Sequence, residues 1–174
     1  MASPEDVYKA QHYERDRTSL RRVDLSRARL PNAMLRLANL GQADLHRADL
    51  SGAKLNGANL RGADLSRADL SRADLSGADL TGADLSRAYL GRANLVGVNL
   101  SRADLYGAYL RTESSHRDVT DVDLILTVEG VTLTGATLPD GTKYRKGREL
   151  RAVREVEFLS EKQIQALQKR WPKR

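Results

Sequence analysis

Leucine returns at every fifth position from Leu25 to Leu110 without a gap, which makes 18 consecutive units. Two places before each leucine stands alanine, from Ala28 to Ala108, with Val98 the exception and Val23 opening the series. The residue between them is usually Asp or Asn. The two places after the leucine are mostly Ser, Thr, Gly or Arg, as in Ala63-Asp64-Leu65-Ser66-Arg67. A period of five matches neither the 3.6 of a helix nor the 2 of a strand. On a helix, successive leucines would be turned by about 140° and would spread around the whole circumference. The pattern therefore predicts a coil in which each five-residue unit forms one side and then turns a corner. One large and one small side chain per unit point inward, polar ones point outward, and coils stack about 4.8 Å apart as in any strand ladder.

The A(D/N)LXX units of residues 23–112, with a resumption at Leu133 and Leu138, resemble the pentapeptide-repeat proteins. That resemblance implies an all-β solenoid, a right-handed quadrilateral β-helix with four units per coil, so that residues 20 apart stack on one face. The 18 units then make about 4.5 coils and a rod roughly 20 Å long. Burial of each leucine contributes about 1.5–3 kcal/mol, an upper bound given the compactness of denatured chains. Stability is shared among neighbouring coils, as in other solenoids, and the leucines and alanines are read as structural.

Open solenoid ends expose unpaired backbone and need covers. Residues 1–22 are read as an N-terminal helical cap. Ser3 stands as N-cap, Pro4 at the first helical position and Glu5 and Asp6 in the first turn, with the helix over about 4–14 and a strand-like entry near Leu20. Residues 23–112 form the β-helix, and 113–147 an irregular excursion and closing coil. Within that third segment, Val122–Leu126 reads as a strand, and the closing coil ends in the turn Pro139-Asp140-Gly141. Residues 148–174 are read as a C-terminal helix and basic tail. The helix begins near Ser160 with Gln163 completing a capping box, and Ile164, Leu167 and Trp171 make one apolar face. That face either folds over the last coil or joins two copies, so the chain is expected to be a monomer or a homodimer through this helix.

Composition narrows the function classes. The chain has 29 basic and 23 acidic residues, a formal charge of +6, and no cysteine, which removes disulfides and thiolate metal sites. The polar N-terminus does not read as a signal peptide, and no stretch approaches the roughly 18 apolar residues of a membrane span. A bacterial-type cytoplasm is the expected setting. No HExxH, GxSxG, P-loop or Cys/His cluster occurs, and His12, His46 and His116 lie in different parts of the chain. His46 would stack between Ser26 and Ser66 near Asp44, but a convex face offers neither pocket nor oxyanion hole. Neither an enzyme nor a cofactor-binding protein is expected. The Asn99-Leu100-Ser101 glycosylation match is read as chance.

Wrapping the chain in 20-residue turns makes a surface map. One face carries Asp24, Asp44, Asp64, Asp84 and Asp104, with Arg27, Arg47, Arg67 and Arg87 beside them. Like charges about 4.8 Å apart repel by about 1 kcal/mol even in water. The two ladders are therefore expected to interleave as a nearly neutral lattice, or else the Arg column meets phosphates or carboxylates of a partner. The next face joins Arg72 and Arg92 to Tyr89 and Tyr109, residue types enriched at interface centres. These eight residues are the candidate partner-binding set, with Gly57, Gly77 and Gly97 on a third face and Gly62 and Gly82 on the fourth.

The expected function is a non-catalytic protein-interaction scaffold whose protein partner is not identified. The resemblance implies a second reading, because some family members protect DNA gyrase from quinolones or toxins by imitating duplex DNA. The rod and the Asp ladder fit it, whereas the Arg column and positive charge oppose it. A third reading, nucleic-acid binding through the Arg columns, is opposed by the interleaved aspartates.

Overall fold

The computed structural model describes residues 2–13, 19–110 and 131–144. The expected strand at Val122–Leu126, the helix from Ser160 with its dimer contact, and the basic tail lie outside the described residues.

From Asp24 to Tyr89, each outward residue that precedes a core leucine forms a one-residue parallel bridge to the residue twenty further on. The bridges fall into four columns, so the coil has four sides. The first runs Asp24, Asp44, Asp64, Asp84, Asp104; the second Arg29, Asp49, Asp69, Tyr89, Tyr109. The third runs Met34, Lys54, Asp74, Asn94 and the fourth Asn39, Asn59, Asp79, Asn99. Three inter-coil bonds and one turn bond serve each unit. Around Leu25 these are Leu25 N–H to the Asp44 carbonyl (2.7 Å), Arg27 N–H to that of His46 (2.8 Å) and Asp44 N–H to that of Val23 (2.9 Å). Ala28 N–H then closes the corner onto the Leu25 carbonyl at 3.0 Å. Only the middle of each side is extended, so pairing never lengthens into a continuous strand.

The corner sets an unusual requirement on the second residue after each leucine. Its φ is positive, near +60°, throughout the stack, while the first residue after the leucine is not in that region. This is a type II turn, which favours glycine at that place. Glycine does sit at corners such as Gly77 (φ 66°) and Gly97 (φ 69°). Eight corners instead hold arginine: Arg22, Arg27, Arg47, Arg67, Arg72, Arg87, Arg92 and Arg102. A left-handed non-glycine residue costs about 1–2 kcal/mol.

The interior is filled by the repeated Leu and Ala pair. Leu35 through Leu80 are 0% exposed, and the alanines from Ala38 to Ala88 at most 1%. The stack gains a unit before Val23. Leu20 is fully buried and donates to the Asn39 carbonyl at 3.1 Å, while Arg22 N–H reaches Gly41 at 3.0 Å.

At the lower end the first coil has no neighbour beneath it, and the N-terminal segment supplies substitutes. Ala2 and Ser3 N–H bond to the carbonyls of Ser26 (3.1 Å) and Asp24 (3.2 Å). Helix α1, Pro4–Gln11, follows. Ser3 makes no side-chain cap bond. The Asp6 carboxylate accepts the Asp24 N–H at 3.0 Å, the donor that in every later coil finds a carbonyl below. Ala10 and Tyr13 bury themselves on the core. The lower edges of the second and third sides carry exposed Arg29, Pro31 and Arg36, residue types that deter edge pairing.

At the upper end the repeat returns as expected at Leu133 and Leu138, both buried. The register changes from 20 to 33: Asn99 bridges Thr132 and Asp104 bridges Thr137. Pro139-Asp140-Gly141 then reverses the chain, and Lys143 pairs antiparallel with Thr137. Leu138 N–H bonds to the Thr142 carbonyl at 2.7 Å, and Gly141, at φ 81°, lets the turn close. An antiparallel return laid on the last rung thus ends the parallel ladder of the first side.

Candidate functional site

The expected Asp–Arg lattice of the first side does not form. Each aspartate instead turns toward its own unit, where Asp24 Oδ1 accepts the Ser26 N–H at 3.0 Å and the Ser26 hydroxyl at 2.7 Å. The same Asx arrangement recurs at Asp64, Asp74 and Asp79 with Ser66, Ser76 and Thr81. One or two local donors two residues away outcompete a flexible guanidinium on a neighbouring corner, because closing so short a loop loses little entropy. Among the described residues, Arg27, Arg47, Arg67 and Arg87 form no ion pair, and the one inter-coil ion pair joins Arg61 to Asp79 at 2.9 Å on the fourth side. The arginine stems lean up the axis: Arg87 Cγ lies 3.3 Å from where a Cβ on Gly107 would stand.

Electrostatics follow from these bonds. The Ser26 hydroxyl and N–H hold the Asp24 carboxyl below its usual range. Partial burial pushes Asp74 and Asp79 up, but hydroxyl and backbone donors, with Lys54 beside the former and Arg61 beside the latter, bring both below the usual value. His46 Nδ1 lies 2.8 Å from Ser66 Oγ, but that hydroxyl donates to Asp64. The serine proton faces a carboxylate of its own turn, an arrangement that orders the turn and activates no nucleophile.

The second side places the remaining candidates together. Tyr89 and Tyr109 stack across adjacent coils with centroids 5.2 Å apart and planes 12° from parallel, each about half exposed. Arg72 and Arg92 occupy consecutive corners of the same side at φ 61° and 62°, and among the described residues neither makes an ion pair. The first-side arginines, Arg27 to Arg87, stand one corner away in a separate column.

Three contributors escaped the sequence reading. The pre-leucine positions are aspartate in five successive units, from Asp64 to Asp84, and then become Tyr89, Asn94 and Asn99, so residues 85–103 contain no acid. Asn94 joins the patch from the third side, and Val96 and Tyr106 are exposed at 49% and 51%. The signal in the sequence is this loss of aspartate, an irregularity of the outward positions beside strictly regular inward ones. Among the described residues no group of carboxylates and histidines could hold a metal ion, and no helix is long and apolar enough to cross a membrane.

Such a structure belongs to the class of parallel β-solenoids that display columns of side chains on flat sides. The family description "Pentapeptide repeats" matches in eight copies over residues 16–42, 43–82 and 83–111. The chain belongs to the pentapeptide-repeat family, whose members are right-handed quadrilateral β-helices and generally serve structural or interaction roles. Similar solved structures include a pentapeptide-repeat protein of the Arabidopsis thaliana thylakoid lumen. It is 34% identical with TM-score 0.52, over 65% of this chain and 69% of that one. Another is Rfr23 of the cyanobacterium Cyanothece 51142, 34% identical with TM-score 0.43, over 71% of this chain and 65% of that one. QnrB1, a plasmid-mediated fluoroquinolone resistance protein, is 20% identical with TM-score 0.23, over 63% of this chain and 66% of that one. No curated protein matches the chain significantly.

Proposed function

We propose that the chain is a non-catalytic protein-docking scaffold whose contact surface is the upper part of the second side, centred on Arg72, Arg92, Tyr89 and Tyr109. The supporting observation is the coincidence of a stacked, half-exposed tyrosine pair with two arginines that make no ion pair among the described residues, beside the stretch where the repeat sheds its aspartates. Tyrosine and arginine anchor interfaces, because each brings contact area and hydrogen-bonding capacity at modest entropic loss. The β-helix contributes rigidity: Tyr89 N–H bonds to the Ala68 carbonyl, Tyr109 N–H to that of Ala88 and Arg72 N–H to that of Gly91, each at 2.9 Å. Affinity capture from the native host tests this reading, with a variant carrying Arg72→Ala, Arg92→Ala, Tyr89→Ala and Tyr109→Ala as control. Loss of a captured protein with the variant supports it; retention of every captured protein refutes it.

A gyrase-directed reading draws support from the unbroken column Asp24, Asp44, Asp64, Asp84 and Asp104, whose rung spacing gives a regular negative line. The parallel Arg column and the charge of +6 weigh against imitation of DNA. A supercoiling assay with gyrase and a quinolone decides it: neither inhibition nor protection eliminates the reading.

A further inference from the structure

We propose that the docking patch receives a carboxylate-rich segment of a protein partner. The inference rests on the docking reading above and adds the chemistry of what docks. It follows from what the patch exposes and what it has lost.

The first point is orientation. Tyr89 and Tyr109 stack along the solenoid axis, so each ring spends a face on the other. The half of each side chain left exposed includes ring edge and hydroxyl. The edge of an aromatic ring carries the positive part of its quadrupole, and a phenol hydroxyl donates. Both favour an anionic oxygen. A nucleobase needs an open ring face to stack upon, and the stack leaves at most one face of each ring for that.

The second point is charge. On the second side the pre-leucine column changes from Asp49 and Asp69 to Tyr89 and Tyr109, and on the third from Asp74 to Asn94. The nearest remaining carboxylate on the third side, Asp74, is already held by Ser76 Oγ at 2.7 Å and by the Asn94 amide at 3.1 Å. Among the described residues Arg92 thus has no carboxylate paired with it. Guanidinium groups match carboxylates in planar, two-point geometry.

The third point is strain, which is independent of both. Arg72 and Arg92 sit at φ 61° and 62°, where the neighbouring third-side corners use Gly77 and Gly97. A Cβ at Gly77 would meet nothing within 4 Å, so space does not dictate the choice at such a corner. Retaining arginine where glycine is unstrained points to a use for the guanidinium outside the fold.

The test uses the full chain and two fluorescein-labelled peptides, one alternating Glu and Gly and one alternating Gln and Gly, with labelled oligothymidine as a third probe. Anisotropy at low salt is expected to show binding of the Glu peptide only, weakening as ionic strength rises. Arg72→Gly with Arg92→Gly should weaken that binding by about tenfold, with a melting temperature unchanged or higher. Tyr89→Phe with Tyr109→Phe keeps the stack and should weaken binding severalfold by removing the hydroxyls. Equal binding of the Gln peptide, no binding of the Glu peptide, or tighter binding of oligothymidine overturns the proposal. The docking reading fails separately, if the four-residue variant still captures every partner. Capture that is lost with the variant but not displaced by excess Glu peptide sinks only the carboxylate chemistry.

Discussion

The corner arginines make the strongest quantitative test of the structure. Take the first side, away from the docking patch, and replace Arg27, Arg47, Arg67 and Arg87 together, once by glycine and once by alanine. All four native residues have φ between 56° and 60°. Glycine relieves about 1–2 kcal/mol of left-handed strain at each corner and gives back about 0.4–1 kcal/mol through its freer unfolded chain. The net gain is about 0.5 kcal/mol per corner, or about 2 kcal/mol for four, if corners on separate coils add. For a chain of this length that is a rise of about 4–8 °C in melting temperature. Alanine removes the same charges and stems but remains at positive φ, so it should gain nothing. The difference between the two variants therefore isolates backbone strain from lost charge and from the stem packing seen at Arg87. Thermal or urea unfolding followed by circular dichroism supplies the measurement. A glycine variant no more stable than the alanine variant would refute the claim that these corners are strained.

Further expectations can be checked on single variants. Leu65→Ala, at a fully buried position, should cost about 2–5 kcal/mol in urea unfolding, because coils pinned above and below cannot collapse into the gap. Asp6→Ala removes the acceptor of the Asp24 N–H. It should lower stability by about 1 kcal/mol and speed hydrogen exchange at the Asp24 amide while leaving the upper coils protected. Gly141→Ala should destabilise the closing hairpin, since φ is 81° and the new Cβ would stand 3.1 Å from the Tyr106 ring. Asp24, Asp74 and Asp79 have folded-state pKa values below their unfolded ones, so their stabilisation is present above about pH 4 and is lost as pH falls through the folded values. Acid unfolding should flatten in the Asp74→Asn, Asp79→Asn double variant; an unchanged pH profile would show that the Asx bonds do not favour the charged form.

Much of the architecture was legible because the inward positions obey one rule. An interior only wide enough for one leucine and one alanine per side leaves no latitude, so a strict period of five in those two positions reads directly as a coil. The return at Leu133 and Leu138 could be read for the same reason. The outward positions were harder. Asp beside Arg suggests an ion pair to anyone counting charges, yet the residue two places after each aspartate, most often serine, offers nearer donors. The alternation of Gly and Arg at one position likewise marked a corner needing positive φ, a signal that is present in the sequence but is easily taken for surface variety.

What the sequence alone determined, then, was the repeat and its core: which side chains go in, where the stack runs and where it is interrupted. Tertiary structure decided what the surface is. It assigned the aspartates to their own turns, left the corner arginines without ion pairs among the described residues, brought the tyrosines into a stack across coils, and ended the ladder with a reversed strand. The physical reason is one of competition. An inward leucine has a single favourable place, whereas an outward group chooses between donors of its own turn two residues away and side chains about 20 residues away on the next coil.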